Sequence, residues 1–206
     1  KSSSTVFSET MAQTLSGASA AGPNSGGTNP TQVGLGVQLA ATRANFLQGS
    51  AQTTGVATDV MLQGDGFFVV REGTETVYTR AGAFAFDETG DLVNPSGGWV
   101  QGYEIDQTTG ARTGGLVNIN INMLALPAGV EMTSYSIGQD GVLRGVYSDD
   151  VQRDIAQLAI ANFTNPQGLE KVGNTSFRES ANSGPVELGV ASEGTRGSIL
   201  TGRLEM

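Results

Sequence analysis

The sequence predicts a mainly β protein, with a single compact antiparallel β domain (a barrel or sandwich) and an extended, partly irregular N-terminal arm. Turn residues recur about every ten residues through the middle of the chain, a spacing typical of all-β sandwiches and barrels. Gly supplies 30 of the 206 residues, about twice its usual share, which suits many tight turns. The apolar runs between turns are short, β-branched and aromatic, which favours strands.

Residues 1–32 are predicted to form the N-terminal arm and a glycine-rich linker. Phe7, Met11 and Leu15 are four residues apart, the spacing of a helical stripe, although so short a helix would be unstable alone. A segment that orders only against another surface fits the same residues. Residues 17–30 are poor in apolar side chains and are interpreted as a flexible linker that separates the arm from the domain.

The β domain is expected to span residues 33–206. Its first strand is predicted over residues 33–39, where apolar residues alternate with Gly and Gln. Gly34 and Gly36 in this strand would let another backbone approach closely. Residues 48–50 then mark a turn.

The densest apolar run is Phe67–Val70, which directly follows the triplet Gly64-Asp65-Gly66. Because Asp-Gly supplies the positive φ of a tight turn at little steric cost, we predict that the triplet joins residues 59–63 and 67–70 in a buried hairpin. A phosphate-binding loop needs a longer glycine-rich run that leads into a helix, whereas a strand follows here.

Short strands and turns continue as far as Tyr103. A turn at residues 72–75 precedes a strand that ends in Tyr78-Thr79-Arg80, and Phe84 and Phe86 should share one face of the next strand. Arg80 is expected to pair with a nearby carboxylate or carbonyl group. The aromatic residues of these strands are predicted to lie in the core, namely Phe67, Phe68, Phe84, Phe86 and Trp99.

Alternation and turn residues also predict the elements that follow. Residues 104–115 are polar and are interpreted as a loop or irregular excursion. Residues 116–123 alternate apolar residues with Asn, which predicts a half-buried strand. Asp140-Gly141 predicts the turn of a second hairpin between residues 134–137 and 142–144.

Residues 154–163 fit both a helical and a strand pattern. We choose a strand, because a helix would need stronger caps than the preceding acidic residues provide. The tail from residue 164 is rich in Gly, Asn and Ser as far as residues 197–200, and we assign no strand to it.

Composition excludes several classes of function. Cys and His are both absent, which excludes disulfides, thiolate nucleophiles, Ser-His-Asp triads and the commonest zinc sites. The net charge of −9, with no basic stretch, argues against binding to nucleic acid or to an anionic membrane surface. No apolar run approaches the length that spans a bilayer.

Two groups of acidic residues are possible cation sites: Asp87, Glu88 and Asp91, and then Asp149, Asp150 and Asp154. The first group lacks the spacing of an EF-hand. The second group has no further acid pair with which to work. We interpret both as solvated positions beside strands, and we predict no catalytic residue, cofactor or metal.

Several blocks of sequence occur in order along nearly the whole chain. They are VGLGV (33–37), FLQGS (46–50), GDGFFVV (64–70), YTRAGAF (78–84), GDLVN (90–94), QGY (101–103), FTNPQGL (163–169) and GRLEM (202–206). Together these blocks resemble the bacterial flagellar hook and rod protein family. Because the blocks keep their order, the resemblance is more specific than any single motif.

The resemblance implies a self-assembling structural subunit of the flagellum, not an enzyme. Such subunits pass unfolded through the type III export channel and stack helically into a hollow tube. Residues 28–36, residues 92–103 and the Ser/Thr-rich segment 2–15 are more similar to the hook protein, the universal joint between motor and filament. The distal rod protein is the alternative. Many hook proteins carry an inserted outer domain where this chain has only residues 104–133, a shortness that fits short-form hook proteins and also the rod protein.

The same resemblance implies that the chain lacks the terminal helical segments of the family's axial core, so we expect a trimmed chain. The implied partners are copies of the chain, rod and hook-filament junction proteins, the export machinery and the hook-capping protein. The implied location is the extracellular hook or, alternatively, the basal-body rod. In this hypothesis the β domain is rigid, and residues 17–30 are the compliant part.

Two sets of residues are candidates for these roles. The candidate subunit-contact or hinge residues are Phe7, Met11, Leu15, Gly26, Gly27, Asn29, Gly34 and Gly36. The structural residues of the family motif are Gly64, Asp65, Gly66, Phe67, Phe68, Tyr78, Thr79, Arg80, Gly82, Asn165 and Gly168. A further alternative, a carbohydrate-binding or adhesin-like β domain, would need a pocket lined with exposed aromatic and carboxylate side chains.

Overall fold

The computed structural model describes residues 3–20, 22–23, 26–44, 46 and 48–206. These residues form strands and one short 3-10 helix, which confirms the predicted mainly β class. No helix among them is long and apolar enough to cross a membrane. Leu47 of the block at 46–50, and positions 21, 24 and 25 of the predicted linker, lie outside the described residues.

The chain divides into two compact units, unit 1 (Lys1–Leu47) and unit 2 (Gln48–Met206). Unit 1 contains β1 (Ser3–Glu9), β2 (Ala12–Ser16), β3 (Thr31–Gly34) and β4 (Val37–Ala44). β1 pairs with β4 and β2 pairs with β3, in both cases antiparallel, so that unit 1 is a two-stranded ribbon. The domain boundary therefore falls after residue 47 rather than after residue 32, because β3 and β4 are the partners of β2 and β1.

The helical spacing of Phe7, Met11 and Leu15 does not produce a helix. Phe7 lies in β1, Leu15 lies in β2, and Met11 lies between these strands. Ser and Thr residues around Phe7 favour local alternatives to helix. Pairing with β4 then satisfies the backbone groups of β1.

Residues 17–30 connect β2 to β3, so the interpretation as a linker between the arm and the domain was wrong. Ser19 and Thr28 exchange two backbone hydrogen bonds of 3.0 Å, and their hydroxyl oxygens are 2.8 Å apart. The two ends of the segment therefore lie side by side. The segment is the loop at one end of the ribbon.

Unit 2 contains sixteen strands. The strands that precede residue 120 are β5 (Ala51–Thr53), β6 (Val60–Gln63), β7 (Phe67–Glu72), β8 (Glu75–Thr79), β9 (Ala85–Phe86), β10 (Leu92–Val93), β11 (Trp99–Ile105) and β12 (Arg112–Asn118). The later strands are β13 (Met132–Ile137), β14 (Val142–Tyr147), β15 (Gln152–Asn162), β16 (Glu170–Gly173), β17 (Ser176–Arg178), β18 (Glu187–Val190), β19 (Ser198–Thr201) and β20 (Arg203–Glu205). The 3-10 helix is Pro166–Gly168.

A curled antiparallel sheet dominates unit 2, in the order β13-β14-β15-β11-β7-β8-β17-β16. β15 changes partners along its length, from β14 and β11 near its start to β18 and β7 near its end. This change of partners bends the sheet around a core. Two further two-stranded sheets, β6-β19 and β5-β20, complete the unit.

The core of unit 2 is aliphatic and aromatic, and its side chains come from most of these strands. Its fully buried members include Val60, Leu62, Phe68, Leu92, Ile119, Leu143, Ile155, Leu158, Ile160 and Ile199. Phe84 is buried and Phe86 packs against the same cluster, as their shared face predicted. Trp99 is only half-buried, and the Arg71 guanidinium lies 5.6 Å from its ring centroid.

The triplet Gly64-Asp65-Gly66 does not form the predicted hairpin. β6 pairs with β19, with Leu62 opposite Ile199, and β7 pairs instead with β8, β11 and β15. Gly64 and Gly66 do have the expected positive φ values of 113° and 129°. The triplet thus passes the chain from one sheet to another, because distant strands rather than the local turn supply the partners.

Other predicted elements are confirmed. The turn at 72–75 joins β7 to β8, Asp140-Gly141 lies in the turn between β13 and β14, and residues 154–163 lie in or just after strand β15. The predicted strand over 33–39 is interrupted at Leu35 and Gly36, between β3 and β4.

Two regions differ from the prediction. Residues 104–115 are a hairpin between β11 and β12 rather than a loop. β12 ends at Asn118, so the strand predicted over 116–123 is too long, although Ile119 faces the core as expected. The Asn120 side chain accepts a 2.7 Å hydrogen bond from Asn122 N, a local bond that competes with a continuing strand.

The tail beyond residue 164 contains the strands β16 to β20, none of which was predicted. These strands are short, and β16 is exposed along its whole length. Such strands carry little alternation, so their pairing partners and not their own patterns define them.

Candidate subunit interface

Unit 1 exposes an unusual number of large apolar side chains. Those that are more than 40% exposed are Val6, Phe7, Met11, Leu15, Val33, Leu35, Val37 and Leu39. The register places Phe7 opposite Leu39, so these two side chains share one face of the ribbon. Adjacent exposed apolar side chains of this kind are typical of a site for another protein or a membrane. We call this set the apolar ribbon.

Backbone contacts near Gly36 hold the two halves of the ribbon together. Gly36 has a φ of 139° and separates β3 from β4. Its carbonyl accepts hydrogen bonds from Thr10 N (2.9 Å) and Thr10 Oγ1 (2.8 Å), and Leu35 N donates to Met11 O (2.8 Å). The chain therefore passes from one ribbon half to the other without losing its pairing.

The other candidate hinge or contact residues of unit 1 are less constrained. Gly26 and Gly27 lie in the loop between β2 and β3, and Asn29 follows Thr28 at the base of that loop. A side chain at position 26 would meet nothing within 4 Å. At Gly34 an added Cβ would meet only the flexible side chain of Glu9.

In unit 2, two residues of the family motif contact the buried side chain of Arg80, which is 4% exposed. Nη2 of Arg80 donates a hydrogen bond to Gly64 O, and Nε lies 3.7 Å from Glu205 Oε2. The guanidinium also lies 5.9 Å from the ring centroid of Phe67. A buried charge is tolerated when it is paired and hydrogen-bonded, as here. The predicted pairing of Arg80 with a carboxylate or carbonyl is thus confirmed for both groups.

Two residues at the start of unit 2 extend this cluster. Gly49 N donates a 2.9 Å hydrogen bond to Glu205 Oε1. The Gln48 side chain forms two hydrogen bonds with the backbone at the end of β6. Its Nε2 donates to Leu62 O (3.2 Å), and its Oε1 accepts from Gly64 N (3.1 Å). We call Gln48, Gly49, Gly64, Arg80 and Glu205 the Arg80 cluster.

An aromatic group lies beside the Arg80 cluster. The Phe163 ring packs edge-on against Phe67 and Tyr78, with ring centroids 5.8 Å and 4.8 Å away, and Phe67 also meets Phe177 at 6.1 Å. Burial, and secondarily the negative charge of Glu179, raises the pKa of Tyr78 to about 12. Tyr78 therefore remains neutral at physiological pH.

At two positions of the family motif, glycine is required because the backbone of another segment leaves no room for a side chain. At Gly82 a Cβ would lie 1.9 Å from Val60 O, because Gly82 O accepts the Val60 N–H at 2.9 Å. At Gly168 a Cβ would lie 2.6 Å from the backbone of Asn182. Asn165 binds the same segment, through a 2.8 Å hydrogen bond from Nδ2 to Asn182 O.

The structure thus separates the predicted residues into two groups. One group comes together in unit 2 and consists of Gly64, Phe67, Tyr78 and Arg80. Nearby, Thr79 Oγ1 donates a hydrogen bond to Thr175 O. Asp65 forms a parallel bridge with Arg196, and Gly66 and Phe68 pack toward Ile160 and the core. Gly82 lies against Val60, Asn165 and Gly168 lie at the 3-10 helix, and the remaining candidates lie in unit 1.

Sequence reasoning missed Glu205 and Gln48 as partners of the motif. Both belong to blocks that resemble the family, which was the available signal. Neither could be matched to Arg80 without the fold, because the Glu205–Gly49 bond alone joins positions 156 residues apart.

The acidic groups considered as cation sites are engaged in protein contacts. Asp87 Oδ1 accepts hydrogen bonds from Thr89 N (2.9 Å), Thr89 Oγ1 (2.8 Å) and Asp91 N (2.8 Å). These bonds lower the pKa of Asp87, and the bond from the Thr89 hydroxyl has the largest effect. Asp149 pairs with Arg153 at 2.6 Å, and Asp154 pairs with Arg144 at 3.0 Å. Within the described ranges, no group of three acidic residues is placed to hold a metal ion.

One cleft of unit 2 is open and polar, with a volume of about 370 Å³. It lies between the β11–β12 turn and strands β14 and β15, and Asp106, Gln107, Arg144 and Arg153 line it. Its arginines already pair with carboxylates. The described residues therefore form a β protein whose unit 1 exposes large apolar side chains.

Comparison with known proteins narrows this class. The profile of the flagellar hook protein FlgE/F/G D1 domain matches residues 61–145. The chain is 35% identical over 207 residues to the flagellar basal-body rod protein FlgG of Bacillus subtilis (strain 168), covering 100% of this chain and 72% of that protein.

Two hook proteins are also similar. The flagellar hook protein FlgE of Treponema pallidum (strain Nichols) is 47% identical over 107 residues, or 52% of this chain and 23% of that protein. The flagellar hook protein FlgE of Borreliella burgdorferi is 24% identical over 361 residues, or 97% of this chain and 82% of that protein. The chain belongs to the flagellar hook and rod protein family.

Proposed function

We propose that this chain is a structural subunit of the bacterial flagellar hook, which assembles helically with copies of itself into a hollow tube. The observation that supports the hook over the rod is local identity. Sequence identity to the Treponema pallidum hook protein is 47% over half of the chain, whereas identity to the Bacillus subtilis rod protein is 35% over the whole chain.

The apolar ribbon supports assembly as the physical basis of this function. Phe7 and Leu39 are 65% and 58% exposed, so burying them against a neighbouring subunit would remove apolar surface from water, at about 25 cal/mol per Å². Unit 2 has a core of its own and can act as the rigid body of the subunit. Phe7, Met11, Leu15, Gly26, Gly27, Asn29, Gly34 and Gly36 are the proposed contact or hinge residues.

The distal rod of the basal body is the second candidate, and a different observation favours it. The alignment with the Bacillus subtilis rod protein spans 207 residues for a chain of 206, so it needs almost no insertion. The alignment with the Borreliella burgdorferi hook protein extends over 361 residues, which reflects additional sequence in that protein.

Location separates the two candidates. An antibody raised against residues 48–206 would be applied with gold label to purified hook-basal bodies and viewed by electron microscopy. Label along the curved hook is the result we expect. Label confined to the rod would assign the chain to the rod instead. Deletion of the gene gives an independent readout, because loss of the hook subunit leaves rods without hooks, whereas loss of the rod subunit leaves neither.

A further inference from the structure

Segment 197–206 lies across strands β5 and β6 and supplies their strand partners. β19 pairs with β6, with Ile199 opposite Leu62, and β20 pairs with β5, with Leu204 opposite Gln52. In the part of the chain that the structure describes, β5 and β6 have no other strand partner. These two small sheets are separate from the large curled sheet.

The contacts of this segment are both apolar and polar. Ile199 is fully buried and belongs to the core cluster that contains Val60 and Leu62. Along the segment, Gly197 N donates to Asp65 O (2.9 Å), Gly202 N donates to Asp59 O (2.8 Å) and Met206 N donates to Ser50 O (3.0 Å). One short stretch of chain thus completes the hydrogen bonding on this side of unit 2.

The segment also carries the carboxylate that faces Arg80. Glu205 is 2% exposed at its side chain, and it contacts Arg80 at 3.7 Å and Gly49 N at 2.9 Å. If the segment detached, Arg80 would lose its ion pair with Glu205, and breaking a buried ion pair by removing one partner is destabilising. The ion pair therefore favours the seated position of the segment.

We propose that β5 and β6 form a strand-binding groove and that residues 197–206 occupy it as a detachable strap, which opens as one unit while the large sheet stays folded. Proteins open locally in cooperative units that often coincide with such motifs. Extended segments commonly bind through backbone pairing at a strand edge with side chains in pockets. Here Ile199 is the anchor in the pocket, and Glu205 provides the charge match.

Hydrogen exchange on the whole chain tests the strap. In the Glu205→Gln variant we expect amides of residues 49–55, 60–64 and 197–206 to exchange about tenfold faster, with β7 and β15 unchanged. The matched control is Glu193→Gln, because Glu193 is 50% exposed and pairs with Arg112 at 3.1 Å on the surface. Acceleration spread evenly over β7 and β15, or equal acceleration in the control, would overturn the proposal.

A second experiment does not depend on that variant. A protease site is inserted between Gly194 and Thr195 in the whole chain, and the folded protein is cut there. The cut protein should retain the strap, and an excess of a fluorescent peptide with the sequence of residues 197–206 should replace it. The same peptide with Ile199→Ala should replace it at least about tenfold less well. Global unfolding after the cut, or no uptake of the unmodified peptide, would refute the groove.

Discussion

Glu205 Oε2 lies 3.7 Å from Arg80 Nε, and the two side chains are 2% and 4% exposed. This pair joins the block around Tyr78-Thr79-Arg80 to the block at 202–206. Replacing a whole buried pair can be neutral, but removing one member leaves a buried group without its counterpart. The pair therefore links β20 to the end of β8.

The Arg80→Met variant should lower the free energy of unfolding by about 3–5 kcal/mol, because it leaves the Glu205 carboxylate buried without this cation. Urea denaturation of the whole chain measures the change. Arg112→Met is the matched control, since Arg112 is 41% exposed in its pair with Glu193, and it should cost less than about 1 kcal/mol. Equal effects of the two variants would contradict the assigned role of Arg80.

Gly82→Ala should destabilise unit 2 by about 1–3 kcal/mol or more, since overpacked sites must shift their neighbours. The neighbour in this case is Val60 O, 1.9 Å from the added Cβ, and it is backbone that cannot rotate away. Gly115→Ala provides the comparison, because a Cβ there would meet nothing within 4 Å. Thermal unfolding followed by circular dichroism should show a lower midpoint for the first variant only.

The double variant Phe7→Ser and Leu39→Ser should reduce the number of assembled tubes per cell without changing the urea midpoint of unit 2. The reason is that both side chains are exposed and lie opposite each other on the apolar ribbon. Electron microscopy of cells that carry the variant gene provides the count. Val172→Ser, at an exposed apolar position of β16 that is 48% exposed, serves as the control. Normal assembly of the double variant would argue against the ribbon as a contact surface.

The free energy of unfolding should fall at alkaline pH, because Tyr78 ionises at a lower pH in the unfolded chain than in the folded protein. Its pKa is raised in the folded protein from 10.0 to about 12, mainly by burial. The folded state therefore holds its proton more tightly than the unfolded state. The corresponding stability is fully present below pH 10 and is lost between pH 10 and about 12. Urea midpoints measured across this range should decline less steeply for Tyr78→Phe, and identical slopes would rule out this contribution.

Local patterns were sufficient where a turn and both of its strands are adjacent in sequence. The Asp140-Gly141 turn between β13 and β14 is an example, and so is the turn at 72–75. The same signal failed at Gly64-Asp65-Gly66, where the turn residues adopt the expected φ but the strands on either side take distant partners. A local signal reports the conformation of the turn, and pairing depends on which strand is nearest in space.

The apolar residues of unit 1 show the same limit in another form. The helical spacing belongs to Phe7, Met11 and Leu15. These residues nevertheless lie along the half of the ribbon that pairs with β3 and β4. Spacing in a short window does not distinguish a helix from a strand when the window lacks its own core. The exposure of these side chains could be determined only from the fold.

The sequence by itself determined the mainly β class, the absence of Cys and His chemistry, the aromatic core and the resemblance to flagellar hook and rod proteins. These properties follow from residue types and their order, which folding does not change. Only the tertiary structure decided that Arg80 meets Glu205, that β6 pairs with β19, and that strands β1 to β4 form a ribbon of their own. Those choices depend on contacts between residues far apart in the chain, which no local pattern encodes.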